Sequence, residues 1–133
     1  MRESIPLTWR RIPERYRLLG VKCDNCKNCY FPKRLVCPQC RRKGKLNEVA
    51  FGGKGKVISF TEVSAPPEGF EEQAPYLLAI IELDEGARLT AQIVDAHLAD
   101  VKIGSKVEKV FRVIQKDDPE GLIHYGFKFK LAK

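Results

Sequence analysis

Five cysteines carry most of the reactive chemistry of this chain, and all lie between positions 23 and 40. Two short pairs stand out, Cys23-Asp-Asn-Cys26 and Cys37-Pro-Gln-Cys40. Each pair can wrap a backbone turn around one face of a metal ion, and together they supply four thiolates. Four thiolates in a tetrahedron is the arrangement of closed structural zinc sites, which leave no position open for a substrate. Cys29 creates a third, overlapping pair with Cys26. A metal knuckle needs room after its second cysteine for the chain to turn back. Lys27 and Asn28 follow Cys26, and asparagine tolerates the left-handed conformation. Tyr30, Phe31 and Pro32 follow Cys29 and read as the start of a strand. Cys23, Cys26, Cys37 and Cys40 are therefore the expected metal ligands, with Cys29 a spare thiol.

Iron is the rival metal. Cys23, Cys26 and Cys29 reproduce the opening of a ferredoxin run, and Cys37-Pro38 mimics its end. Seven residues separate Cys29 from Cys37 where that run has three, however, and Cys40 would be idle. Iron in a four-thiolate site is the variant closest to zinc. Disulfides fit poorly, because the cysteine count is odd and the chain reads as a reduced, cytoplasmic protein. No apolar run approaches a membrane span, and the first residues lack a signal-peptide core.

Nothing else assembles into a catalytic set. His97 falls in a short polar linker and His124 on the expected outward face of the last strand, neither beside a nucleophile motif. The glycines of Phe51-Gly-Gly-Lys-Gly-Lys56 lack the Walker spacing and precede a strand, so they read as a flexible junction. Glu68, Glu71 and Glu72 read as loop solvation. The chain is not expected to be an enzyme.

At 133 residues, the chain can hold one ordinary core plus a small metal-stapled module. Its net charge of +7 is uneven: residues 1–56 carry 15 Lys and Arg against 4 Asp and Glu, while 57–133 carry 9 against 13. Any anion-binding surface therefore belongs to the first part. Three segments are expected: a helical arm over 1–19, a zinc ribbon over 20–45 and a barrel domain over 46–133. Leu7, Trp9, Ile12, Tyr16 and Leu19 recur at helical spacing, with Pro13 predicting two short helices or one bent one. Trp9 and Tyr16 either pack on the domain or dock on a partner. In the ribbon, Phe31 is expected to cover the metal site.

After position 46 the pattern turns to strands: 55–63, 76–83, 87–95, 105–113 and 123–131. A proline-rich loop over 64–75 is long enough to suggest a function. Asp84-Glu-Gly86 predicts a hairpin, and Asp117-Asp-Pro-Glu-Gly121 a further loop. In the last strand Ile123, Tyr125, Phe127, Phe129 and Leu131 share one face, with His124, Gly126, Lys128 and Lys130 on the other. Five strands without an intervening long helix point to a closed five-stranded OB-fold barrel in a mainly β protein.

The order of these features is itself informative. An arginine-rich helix precedes Tyr16-Arg-Leu-Leu-Gly20, then the ribbon with Tyr30-Phe-Pro-Lys-Arg34 and Cys37-Pro-Gln-Cys40. Gly55-Lys-Val-Ile-Ser-Phe-Thr61, Ala74-Pro-Tyr76 and Ile103-Gly-Ser-Lys-Val107 follow. Across essentially its whole length, the chain resembles the rubredoxin-like zinc-ribbon/OB-fold proteins associated with acyl-CoA enzymes, once classed as a domain of unknown function. Cys29 departs from that pattern, as does Lys27, where the family usually has glycine. The resemblance implies structural zinc and a non-catalytic subunit similar to the archaeal scaffold between acetoacetyl-CoA thiolase and hydroxymethylglutaryl-CoA (HMG-CoA) synthase in the mevalonate route. The basic half offers a surface for coenzyme A phosphates, with no single residue marked for it. A nucleic-acid-binding role is the alternative that basicity invites, but the barrel half is net negative where a strand-tracking groove should be positive. A stand-alone acyl-CoA-binding module is the third reading.

Overall fold

The computed structural model describes residues 4–116 and 122–132, so the loop expected at 117–121 lies outside the described residues. Ile5–Arg17 forms one helix, α1, continuous through Pro13 and not split into two pieces. Ser4 caps its start, its Oγ accepting from the Leu7 amide at 3.3 Å. Thr8 is buried, whereas Trp9 is 74% exposed and Ile5 73%. The helix therefore packs on a face other than the one that carries its tryptophan. Tyr16 sits edge-on to Phe111 at 5.0 Å and helps fix the helix end to the barrel.

Leu18 ends α1 in the left-handed conformation (φ 54°, ψ 54°) and is fully buried. Left-handed backbone costs a leucine about 1–2 kcal/mol, while removing a buried leucine side chain costs about 2–5 kcal/mol. Packing outweighs strain here. Leu18→Gly is expected to destabilise by about 2 kcal/mol net, read as a lower urea midpoint. A raised midpoint would show that strain dominates.

Three strands follow: β1 (Leu19–Cys23), β2 (Cys29–Tyr30) and β3 (Leu46–Ala50). They form an antiparallel sheet in the order β2-β1-β3, in which β3 pairs with β1 along its whole length. Residues 46–50 thus hydrogen-bond to the cysteine-bearing segment. The next five strands are β4 (Lys54–Val63), β5 (Tyr76–Leu83), β6 (Arg88–Val94), β7 (Lys106–Lys116) and β8 (Ile123–Leu131), which close a barrel in the order β4-β5-β6-β8-β7. The pairings are antiparallel except β6 with β8. This is the expected five-stranded OB-type barrel. Val57, Ile81, Leu83, Val107 and Phe129 fill it, each at most 2% exposed. Alternation along each strand supplies this inward face.

The junction at 52–55 is tied down by specific contacts. Gly53 has φ +83°, and a Cβ there would lie 2.7 Å from Lys109 Cβ. The Gly52 amide donates to Glu85 at 2.9 Å. Backbone conformation and close packing, not looseness, require glycine at this corner.

The expected faces of β8 hold only in part. Phe129 is buried inward, but Lys128, assigned to the outward face, is only 6% exposed, and Ile123 is 40% exposed. The long 64–75 loop folds back over the outside of the barrel, and its Gln73 accepts from Lys128 Nζ at 2.8 Å. Gln73 also donates to the Ile114 carbonyl at 2.8 Å, pinning the loop to β7. Alternation assigns a face but does not reveal what a distant loop lays over it.

Candidate metal centre

The four expected ligands converge at one end of the β1–β3 sheet. The thiols of Cys23, Cys26, Cys37 and Cys40 all lie within 4.8 Å of one another. Cys26 and Cys37 sulfurs stand 3.5 Å apart, Cys23 and Cys40 sulfurs 3.9 Å. A tetrahedron with metal–sulfur bonds of ~2.3 Å has edges of about 3.8 Å. The donor set therefore fits zinc in size, number and softness. Cys29 falls outside the cluster; half-buried, it packs against the barrel core, and burial pushes its thiol pKa up.

Two matching knuckles hold the cluster. Cys23 ends β1, and its carbonyl accepts from Lys27 at 2.9 Å; the Cys37 carbonyl accepts from Arg41 at 2.8 Å. Lys27 (φ 63°) and Arg41 (φ 53°) both adopt the left-handed conformation. The turn residue is thus the one directly after each second cysteine, not Asn28 as the side-chain preference suggested. Asn28 instead gives its carbonyl to the Cys23 amide at 2.9 Å.

The knuckle amides set the electrostatics. At Cys37 the Cys40 amide is the leading cause, opposed by burial and aided by the Tyr30 hydroxyl; the thiol is lowered to about 6. The Cys26 amide likewise leads in lowering Cys23. At Cys26 the Asn28 amide pulls downward, but burial and the sulfurs of Cys37, Cys23 and Cys40 outweigh it and raise the thiol to about 11. Without a metal the cluster favours a shared negative charge, since four thiolates this close repel. A divalent cation removes that repulsion and releases the protons.

The surrounding contacts correct one expectation. Phe31 does not cover the cysteines: its ring meets Phe127 edge-on at 5.4 Å and ties the ribbon to the barrel. Tyr30 covers them instead, with its hydroxyl 3.6 Å from Cys37 Sγ. Asn25 Nδ2 donates to Cys40 Sγ at 3.1 Å. Lys33 pairs with Glu48 on β3 and lies 3.7 Å from Glu14 of α1, so it links arm, ribbon and sheet.

Sequence reasoning missed Gly44. A Cβ there would lie 2.8 Å from Cys37 Cβ, 2.9 Å from Cys40 Cβ and 3.2 Å from Cys23 Sγ. Its only signal is a lone glycine four residues past the last cysteine. Gly44→Ala is expected to weaken zinc binding about 10–100-fold, the range for groups that position metal ligands. A competition titration with a chromogenic chelator reads this; an unchanged affinity would mean the knuckles yield freely.

The remaining candidates stay apart. His97 is exposed on a short 3-10 turn (Leu98–Asp100). His124 is half-buried on the barrel wall. Neither is among the thiols. Among the described residues no helix is long and apolar enough to cross a membrane.

Comparison with known proteins agrees with this geometry. Residues 10–45 match the rubredoxin-like zinc ribbon domain of ChsH2, and residues 48–112 match its C-terminal OB-fold domain. A DUF35 domain-containing scaffold protein of Methanothermobacter thermautotrophicus is 52% identical over 123 residues, covering 92% of each chain. One from Methanocaldococcus jannaschii is 55% identical over 123 residues, covering 92% of this chain and 87% of that one. Among solved structures, an Ltp2-ChsH2(DUF35) aldolase superposes with a TM-score of 0.70 at 28% identity, covering 100% of this chain and 98% of that one. With a ribbon built for a structural metal and an OB-fold behind it, the chain belongs to the family of DUF35 domain-containing scaffold proteins.

Proposed function

We propose that this chain is a non-catalytic cytoplasmic scaffold that holds an acetoacetyl-CoA thiolase against an HMG-CoA synthase, so that the acetoacetyl thioester passes on without escaping. The observation that carries the reading is a set of large apolar side chains uncovered on the arm and ribbon. Ile5 (73%), Trp9 (74%), Leu35 (100%) and Val36 (58%) face outward on the most basic part of the chain. Apolar groups at this density, set among cations, suit a protein–protein contact. Relatives at about half identity are named as scaffolds, and the similar solved structure bears the joint name of Ltp2 and ChsH2. The choice of thiolase and synthase rests on the resemblance drawn from the ordered sequence motifs.

In this reading Cys23, Cys26, Cys37 and Cys40 ligate one structural zinc. The arm (1–19) and ribbon (20–45) act as the docking unit, and the remaining segment (46–133), which carries the barrel, gives them a rigid base. Thiolysis favours breakdown of acetoacetyl-CoA. Holding the intermediate beside the next active site at high effective concentration therefore draws the pair of reactions forward. Gentle, low-salt gel filtration of native extract tests this: the chain is expected to co-elute with both enzymes and to show neither activity alone. Elution as a lone 15.1 kDa species, or tight salt-sensitive binding to single-stranded nucleic acid, would overturn it.

A further inference from the structure

A groove of about 560 Å³ runs along the outside of the barrel, between β5, β6, β7 and β8, the 64–75 loop and the end of α1. Its volume falls within the roughly 300–1,000 Å³ of small-molecule sites. No residue of the β1–β3 sheet or the cysteine cluster lines it. Phe70, Tyr76, Leu78, Ile114 and Phe127 make it largely apolar, and none of its described lining residues is acidic.

Lys128 forms part of this wall while only 6% exposed. An ammonium has three N–H donors. One reaches Gln73 Oε1 at 2.8 Å, and no carboxylate among the described residues lies within 4.0 Å. Arg112, whose charge acts on it, is itself committed to Asp95 at 3.0 Å. Burial first and Arg112 second lower the Lys128 pKa, so the environment disfavours an unbalanced cation. Buried lysines are ordinarily paired. Among the described residues no carboxylate pairs with it, and the groove that it lines is roomy and largely apolar.

We propose that this groove is a binding site for a small carboxylate with an apolar body, such as a medium-chain aliphatic acid, its carboxylate on Lys128 and its chain along Phe70, Leu78 and Phe127. Arg15 of α1 also lines the groove and is half-buried, but Lys128 is the cation buried in its wall, and its one ammonium suits a single carboxylate at that end of the channel. The bond to Gln73 also places the ligand's head beneath the loop, so occupancy tightens the 64–75 segment onto β8. The site is independent of the scaffold role, and its failure would leave that role untouched.

The test uses the full-length, zinc-loaded chain and calorimetric titration with hexanoate, octanoate and decanoate, with octanol as the uncharged control. Saturable binding is expected to strengthen with chain length and to favour octanoate over octanol by about tenfold, the scale of one charge-assisted hydrogen bond. Amide NMR shifts should fall on β5, β6, β8 and the 64–75 loop. Lys128→Met should abolish the preference for the acid over the alcohol. Thr90→Trp, at an exposed groove position, should block both ligands while leaving Lys128 in place. Absence of saturable binding, equal affinity for acid and alcohol, or shifts confined to the ribbon would each overturn the proposal. So would octanoate binding undiminished in a folded Thr90→Trp chain.

Discussion

Stripping zinc from the loaded chain with a strong chelator is expected to unfold residues 20–45 while the barrel stays folded. The asymmetry follows from where apolar side chains are buried. Between positions 20 and 45 only Val21, Cys23 and Cys37 are buried hydrophobic residues, and β2 is two residues long. The barrel has its own core around Val57, Ile81, Val107 and Phe129. Structural zinc contributes about 10–16 kcal/mol in small modules, as much as the ~5–15 kcal/mol that holds a whole domain together. Nothing else in the ribbon is of that size. Two-dimensional amide spectra before and after chelation check this: ribbon resonances should collapse to unfolded positions while those of β4–β8 persist. Native ribbon shifts in a chain shown by elemental analysis to be metal-free would refute it.

The same loss should follow acidification, and its sign is fixed by the thiols. Metal binding needs four thiolates, while the free cluster holds protons, most firmly at Cys26, raised to about 11, and least firmly at Cys37, lowered to about 6. Binding therefore releases protons, so zinc affinity falls as pH falls.

How much of this was legible beforehand differs from residue to residue, for physical reasons. The cysteine spacing encodes local geometry, because two residues between ligands suffice for one knuckle, and the four sulfurs meet where that geometry requires. Barrel strands were legible because alternation and turn residues are also local. The faces of β8 were harder, since the 64–75 loop that buries Lys128 contacts it through Gln73, 55 residues away in sequence. Phe31 reads as the cover of the metal because the ribbon holds almost no other core, yet the barrel offers it Phe127 as an apolar partner. Gly44 was missed because its role is negative: it leaves space that three cysteines occupy. Pro13 suggested a break, but α1 runs through it unbroken. A loss of one backbone hydrogen bond is tolerable when both ends of a helix are fixed, here by the Ser4 cap and by Tyr16 on Phe111.

Trp9→Ala is expected to weaken binding to the partner enzymes about 30-fold or more while leaving the chain's own stability almost unchanged. The two effects separate because Trp9 is 74% exposed and the helix is held by other groups: Thr8 is buried, and Tyr16 packs on Phe111. Truncating a side chain that touches little of its own fold typically shifts stability by no more than ~0.5 kcal/mol. A tryptophan at the centre of an interface costs ~2 kcal/mol or more when truncated, which is about 30-fold in affinity. If the arm served only to cover the domain, the order would reverse: the melting temperature would fall and partner affinity would hold. Leu35→Ser, at a fully exposed ribbon position, provides a second reading of the same surface. Should the two enzymes dock on one continuous patch, both substitutions weaken both partners. Should the arm and ribbon face different enzymes, Trp9→Ala releases one and Leu35→Ser the other. Surface-immobilised binding of each enzyme separately, alongside thermal melts of each variant, distinguishes these outcomes. Unchanged affinity for both enzymes in both variants would remove the arm and ribbon from the docking surface.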